Sequence, residues 1–262
     1  MGICEVDIQA CPCLIPKHHA LGRFKAPGRI TYFYLSEFIH FKEPETHRSS
    51  EKTKAPKLPE APDPDALATK IAEFHQKSES PTGKFGFHVT TCDEKWPNTV
   101  EWEESWTVFY AKLLRNIFNI DLEAKGPRPK LERAAEQVIT KVIPRLLGNI
   151  RGPDGSPLKP RLIHGDLWEP NLGVNKATGQ LVLCDVSSCY AHNEVDLGQW
   201  WAHICVHLGA SVDNLRRYMG AYKAIYPESR PREEFEDRNM LYSLKGSLNY
   251  SAGHPNCGIR DS

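Results

Sequence analysis

The stretch LIHGDLWEPNLGVNKATGQLVLCDVSSCY, residues 162–190, constrains the architecture of the chain more than any other. The runs Arg161–Ile163, Leu172–Val174 and Gln180–Cys184 are too short for helices and read as strands. The sequence NKATG at 175–179 joins the last two as a hairpin. Asp166 and Asn171 then lie on one loop with four residues between them, and Asp185 ends the second hairpin strand. Gly165 precedes Asp166, so the loop is tight enough for that carboxylate to project into a cleft.

These three residues suit phosphoryl transfer, in which a protein mainly positions groups and neutralises charge. A carboxylate on a tight loop can accept the proton of an attacking hydroxyl, as Asp166 is placed to do. An amide and a second carboxylate, Asn171 and Asp185, offer the oxygen ligands that a hard cation prefers. Taken singly, each is an ordinary turn residue. The three together, behind His164-Gly165, point to a kinase-derived site, with His164 itself a structural hydrogen-bonding residue.

Around this segment the pattern is strand-containing first and helical afterwards. RITYFYL at 29–35 reads as a strand, and the turn material from Gly22 to Gly28 suits a hairpin leading into it. Residues 43–64 are polar and Pro-rich and read as a linker or insertion. Asp63-Pro64 is an N-cap followed by proline at the first helical position, with Leu67, Ile71 and Phe74 on one face beyond it. A second helix is expected from about Trp102 to Phe118, and a third from Leu131 to Leu147, strained near Pro144. After Asp196, itself read as an N-cap, the helical period returns at Leu197, Trp200, Ile204 and Leu208, then at Leu215, Tyr218, Met219 and Tyr222. A last helix carries Phe235, Leu241, Leu244 and Leu248. Trp200 and Trp201 are expected to anchor the core, and the charges from Arg230 to Arg238 to form a solvated helix face.

Composition narrows the functional classes. The 262 residues hold 33 basic and 33 acidic side chains, a balance without the basic footprint of a nucleic-acid binder. No stretch is apolar for long enough to span a bilayer, and no signal peptide is readable at the N-terminus. The eight cysteines have no CxxC spacing and are expected to be reduced thiols in the cytoplasm.

HGDLWEPN at 164–171, joined to PTGKFGFH at 81–88, resembles the fructosamine kinase family, also called ketosamine or protein-ribulosamine 3-kinases. The spacing of Trp102, Trp106, Phe109 and Tyr110 is similar to that family, as is the block from Tyr190 to Gly198. The resemblance runs from near residue 8 to near residue 250. The HGD tripeptide is shared with aminoglycoside and choline kinases, whereas HGDLW joined to TGKFGF is much narrower.

The resemblance implies an α+β, protein-kinase-like (aminoglycoside phosphotransferase-like) fold. It also implies ATP-dependent phosphorylation of the sugar 3-hydroxyl of ribulosamine or fructosamine, as small ketosamines or on glycated protein lysines. By position, Asp166 is the catalytic base, and Asn171 and Asp185 are ligands of Mg2+. Ser36, Glu37 and Phe38 match the hinge whose backbone holds the adenine. Phe85 and Phe87 fall near the sugar or pack at a helix start, and Trp168 is either a wall of the substrate site or a packing residue. Glu194 and Asp196 match an acidic pair of the family.

The pattern also departs from the family. Asp185-Val186-Ser187 stands where Asp-Pro-Ala is usual, and Glu169-Pro170 replaces small residues. Only about two dozen residues precede the hinge-like strand, with no Gly-rich phosphate loop, and Lys17 and Lys25 lie too close to the hinge to be the phosphate-pairing lysine. The expected organisation is therefore an incomplete N-terminal lobe and hinge at 1–42, the linker at 43–64, and a mainly helical catalytic lobe at 65–262. Two other readings remain open: a pseudokinase of the same fold, and a different small-molecule phosphotransferase, against which TGKFGF argues.

Overall fold

The computed structural model describes residues 14–25, 32–43, 62–93, 95–201 and 212–254. Residues 26–31 of the expected early turn and strand, most of the 43–64 segment, Ile204 and Leu208 lie outside them, as does the side chain of Trp201.

Strands β1 (His18–Arg23) and β2 (Tyr32–Ser36) pair antiparallel, as an early hairpin requires, with Gly22 inside β1 rather than in the turn. From β2 the chain crosses to the later hairpin, where Lys42 N–H donates to Val174 O at 2.9 Å and His40 O accepts from Lys176 N–H at 2.8 Å. Helix α1 (Pro64–Lys77) starts where the sequence places it: Asp63 Oδ1 accepts from Ala66 N–H at 3.0 Å and Pro64 opens the first turn. Its buried face carries Leu67, Ile71 and Phe74.

The short strands β3 (Cys92–Asp93) and β4 (Trp96–Pro97) pair with each other. Helix α2 (Trp106–Lys125) begins four residues later than its apolar stripe suggests. Ser105 Oγ caps it by accepting from Val108 N–H at 3.4 Å, and Trp102 lies before it, stacked on Tyr190 at 6.0 Å. The expected third helix is three pieces: α3 (Pro129–Gln137), a π-helical turn Val138–Val142, and α4 (Ile143–Leu147). Pro144 has no N–H to offer the carbonyl one turn back, and widening the helix just before it accommodates the lost bond.

Strand β5 (Arg161–Ile163) pairs with β8 (Cys189–Ala191), and β6 (Leu172–Val174) with β7 (Leu181–Leu183). The β6–β7 hairpin matches the reading. Strand β8 was not legible, because its run is short and follows the polar turn after Asp185. Helices α5 (Glu194–Trp201), α6 (Val212–Ile225) and α7 (Phe235–Gly253) complete the described chain. Helix α5 packs on α7, α1 on α6, and α2 on α7. A Cβ at Gly198 would lie 2.8 Å from Tyr242, so the close approach of α5 and α7 requires glycine there.

The charges at 230–237 are largely exposed as expected, and Arg238 is the exception. It is fully buried, and its guanidinium grips Glu194 with two bonds of 2.8 and 3.1 Å. Among the described residues no helix is long and apolar enough to cross a membrane.

Candidate active site

The loop after β5 is held by its backbone. Gly165 has φ of 85°, and a Cβ there would come within 2.2 Å of Ser187 O. Only glycine fits this crossing of the two loops. His164 is buried and ties the loops together: its carbonyl accepts from Ser187 N–H at 2.8 Å, and its Nε2 donates to Cys184 O at 3.0 Å. Nδ1 is then free to accept from Asp166 N–H at 3.2 Å, so the network assigns the Nε2–H tautomer. His164 plays the structural part expected of it.

Asp196 was read as a helix cap and does something else. It is buried within α5, and its two oxygens accept from His164 N–H and Gly165 N–H, both at 2.8 Å. Oδ2 also lies 3.1 Å from His75 Nε2 on α1. Burial alone would raise its pKa, but the bond and charge of His75, with the backbone bond from Gly165, hold it below the usual carboxylate range. Asp196→Ala would strand two buried amide donors. It is expected to cost about 2–3 kcal/mol, measured by urea unfolding, and to lower kcat by loosening the loop under Asp166.

Asp166 sits partly buried at the edge of a small cleft that Asp185 also lines. Asn171 Nδ2 donates to Asp166 Oδ2 at 2.9 Å and to its carbonyl at 3.0 Å. Gln199 Nε2 reaches Oδ1 at 3.3 Å, across a glycine on α7: a Cβ at Gly246 would meet Gln199 Oε1 at 2.3 Å. Burial, helped by the charges of Asp93 and Asp185, pushes the Asp166 carboxyl up to about 7, while Lys245 and the Asn171 bond oppose that shift. A carboxylate tuned this way is a competent proton acceptor near neutral pH.

Asp185 is exposed and is the one described non-glycine residue with positive φ, at 56°. Left-handed backbone at a non-glycine residue is sparsely populated and clusters at functional sites. The turn therefore forms without the proline usual after this residue. Cys184 N–H donates to Asn171 O at 2.9 Å, which brings Asn171 and Asp185 to the same end of the hairpin.

The remaining expected site residues divide. Ser36 ends β2, and Phe38 is 80% exposed. The N–H of Glu37 is already spent on Lys17 O at 2.8 Å. Phe85 and Phe87 are buried, ringed by Trp106 at 5.2 Å and Tyr190 at 5.9 Å. The segment between them is a backbone clamp: Gly86 exchanges two 2.9 Å bonds with Tyr190 of β8, and Phe85 exchanges bonds with Glu103. Neither ring lines the cleft, so both take the packing alternative. Trp168 packs against the core and lines the cleft as well.

Sequence reasoning missed Asp93, Gln199, Lys245 and Asn249. Lys245, buried on α7, bonds Asp93 Oδ2 at 2.6 Å and Gly165 O at 2.8 Å. Burial would lower its pKa, but Asp93 and Asp166 more than offset that and raise it. No local signal marks this pair, since its members are 152 residues apart.

Acid should weaken the fold through two imidazoles. Burial depresses the pKa of His164, and burial followed by the charge of Arg238 depresses that of His192 well below 6.5. Below about pH 6.5 the unfolded chain takes up protons that these folded histidines refuse, so stability is full above that pH and falls as pH drops through it. Thermal unfolding midpoints of the Asp166→Asn variant, which lacks that carboxyl's opposite pH dependence, should decline from pH 7.5 to 5. A flat profile would contradict this.

Comparison with known proteins bears on family and fold. A family model described as fructosamine kinase matches residues 56–254. The chain is 30% identical over 190 residues to the chloroplastic protein-ribulosamine 3-kinase of Oryza sativa subsp. japonica, covering 72% of this chain and 49% of that protein. It is 27% identical over 181 residues to the ketosamine-3-kinase of Mus musculus, covering 68% and 51%. The chain thus spans about half the length of the curated relatives it matches. Among solved structures, a putative fructosamine-3-kinase from Thermobifida fusca superposes with a TM-score of 0.64 at 19% identity, covering 99% of this chain and 77% of the other. A macrolide 2'-phosphotransferase type I superposes at 0.51 and 12% identity, covering 95% and 70%. These structures establish the kinase-like phosphotransferase fold.

Proposed function

The chain belongs to the fructosamine kinase family, and on that footing we propose that it transfers the terminal phosphoryl group of ATP to the 3-hydroxyl of ketosamines. The substrates are ribulosamine or fructosamine, free or on glycated protein lysines. The observation that carries this reading is Asp166: a carboxylate on a rigid loop, bonded by Asn171 and Gln199, with its pKa raised to about 7 in a cleft shared with Asp185.

In this mechanism Asp166 takes the proton of the attacking hydroxyl. Asn171 orients it through Oδ2, and Gln199 fixes Oδ1, so the carboxylate cannot swing away from the incoming hydroxyl. Asn171 and Asp185 supply oxygen donors at one end of the hairpin, a set that fits a hard dication, and they would hold Mg2+. The ion supplies neutralisation of phosphate charge. Ser36, Glu37 and Phe38 form the crossing between the two hairpins and would contribute backbone to the adenine, with Glu37 offering its carbonyl rather than its engaged N–H. The described cysteines Cys92, Cys184 and Cys189 are free thiols, which suits a reducing compartment such as the cytoplasm.

The deciding measurement is Mg2+-dependent ADP release with a small ribulosamine or fructosamine. Turnover that needs both ketosamine and metal is expected. A second reading, a pseudokinase, draws on the engaged Glu37 N–H. Nucleotide binding without turnover on either sugar would favour it.

A further inference from the structure

The loop that carries Asp166 turns on Gly165, which has no side chain and sits at φ of 85° directly before the carboxylate. The two peptide planes that flank this glycine set where Asp166 points, so whatever holds them aims it. On one side the Gly165 N–H donates to Asp196 Oδ1 at 2.8 Å. On the other the Gly165 carbonyl accepts from Lys245 Nζ, also at 2.8 Å. A carboxylate grips one peptide and an ammonium grips the next, and bonds to ionised groups are about twice as strong as neutral ones.

The ammonium is itself anchored. Lys245 is 4% exposed, and its second bond goes to Asp93 Oδ2 at 2.6 Å. Asn249, one turn further along α7, donates its Nδ2 to the same oxygen. Asp93 ends β3 and is buried too, so three distant segments meet at this one cation: β3, the Asp166 loop and α7.

A buried pair of this kind is a poor device for stability alone, because desolvating two charges offsets most of their attraction. Apolar side chains could fill the same space without that penalty. They could not bond the Gly165 carbonyl. The Lys245 charge also acts on Asp166, where it opposes the upward pull that burial and Asp93 exert on the carboxyl.

Resting on the phosphotransferase reading above, we propose that Lys245 is a positioning residue for Asp166: anchored by Asp93, its ammonium fixes the peptide that joins Gly165 to the base. The aim of the carboxylate then depends on α7 as well as on α5, and Asp93 takes part through Lys245 rather than by touching substrate.

The test separates aim from stability. Lys245→Met keeps a long stem and removes the charge; it strands Asp93 and should lower both the unfolding midpoint and kcat. Adding Asp93→Asn removes the stranded charge, so the double variant should recover most of the lost stability. Its kcat should nevertheless stay about 10–100-fold below the wild type, since the Gly165 carbonyl still lacks its donor and a misaimed base is costly. The KM values for ATP and for a small fructosamine should move less than about threefold, as for an interaction that matters in the transition state. Because the double variant loses one charge of each sign, the remaining deficit reports aim more than field. A kcat that returns together with stability, or a loss that falls on KM instead, would overturn the inference and leave the pair a support of the fold. If the wild type turns over no ketosamine, the phosphotransferase reading fails, and amide hydrogen exchange decides this one. In the double variant the Gly165 and Asp166 amides should then exchange about 10-fold faster than in the wild type, with the middle of α7 unchanged. Equal exchange at the loop would sink it.

Discussion

Asp166→Asn is expected to lower phosphoryl transfer about 10²–10⁴-fold, the usual contribution of a positioned general base. The loss should fall on kcat, because the amide keeps the shape of the carboxylate and the cleft keeps its walls. The loop should survive: Gly165, His164 and Asp196 hold it through backbone bonds that do not involve the Asp166 side chain. The variant should also be at least as stable as the wild type at pH 8. There the ionised Asp166 stands partly desolvated beside Asp93 and Asp185, a strain visible in a pKa raised to about 7. A folded-state pKa above the unfolded one means that ionisation opposes folding above that pH, and the amide removes the opposition. Steady-state kinetics and thermal unfolding of one preparation test both halves. Retained kcat would remove Asp166 from the chemistry, and a large drop in unfolding temperature would show that it serves the fold.

The largest stability effect is expected at Arg238. Removing its side chain as Arg238→Ala leaves Glu194 buried, with its charge unmatched and its bond from Ser229 N–H as remaining support. Breaking one partner of a buried pair costs about 3–5 kcal/mol. The loss should be felt at the α5–α7 contact, since Glu194 opens α5 and Arg238 belongs to α7. Denaturant unfolding measures it. The double variant Glu194→Gln, Arg238→Met should recover part of the loss, because neither charge is then stranded. A double variant as unstable as the sum of the singles would mean that the pair is not coupled.

Some of this was legible in the chain and some was not, and the division follows interaction range. The α1 cap at Asp63, the β6–β7 hairpin and the Asp166–Asn171–Asp185 order depend on residues a few positions apart, so local pattern exposes them. Helix α2 was placed early because Trp102 keeps the apolar period while stacking on Tyr190 outside the helix. The 131–147 helix was correctly seen as strained, but periodicity has no sign for a π turn. Arg238 looked solvated since most clustered charges are, and only its partner 44 residues away shows otherwise.

Residue order alone thus picked out the groups proposed to carry the chemistry, one base and two oxygen ligands, and the glycine that lets their loops cross. Tertiary structure decided how those groups behave. Asp196 under the loop, Lys245 tied to Asp93, and Gln199 seated over Gly246 come from distant parts of the chain. The reason is physical: the pKa and aim of a carboxylate depend on desolvation and on charges within a few ångströms, and only folding sets those distances.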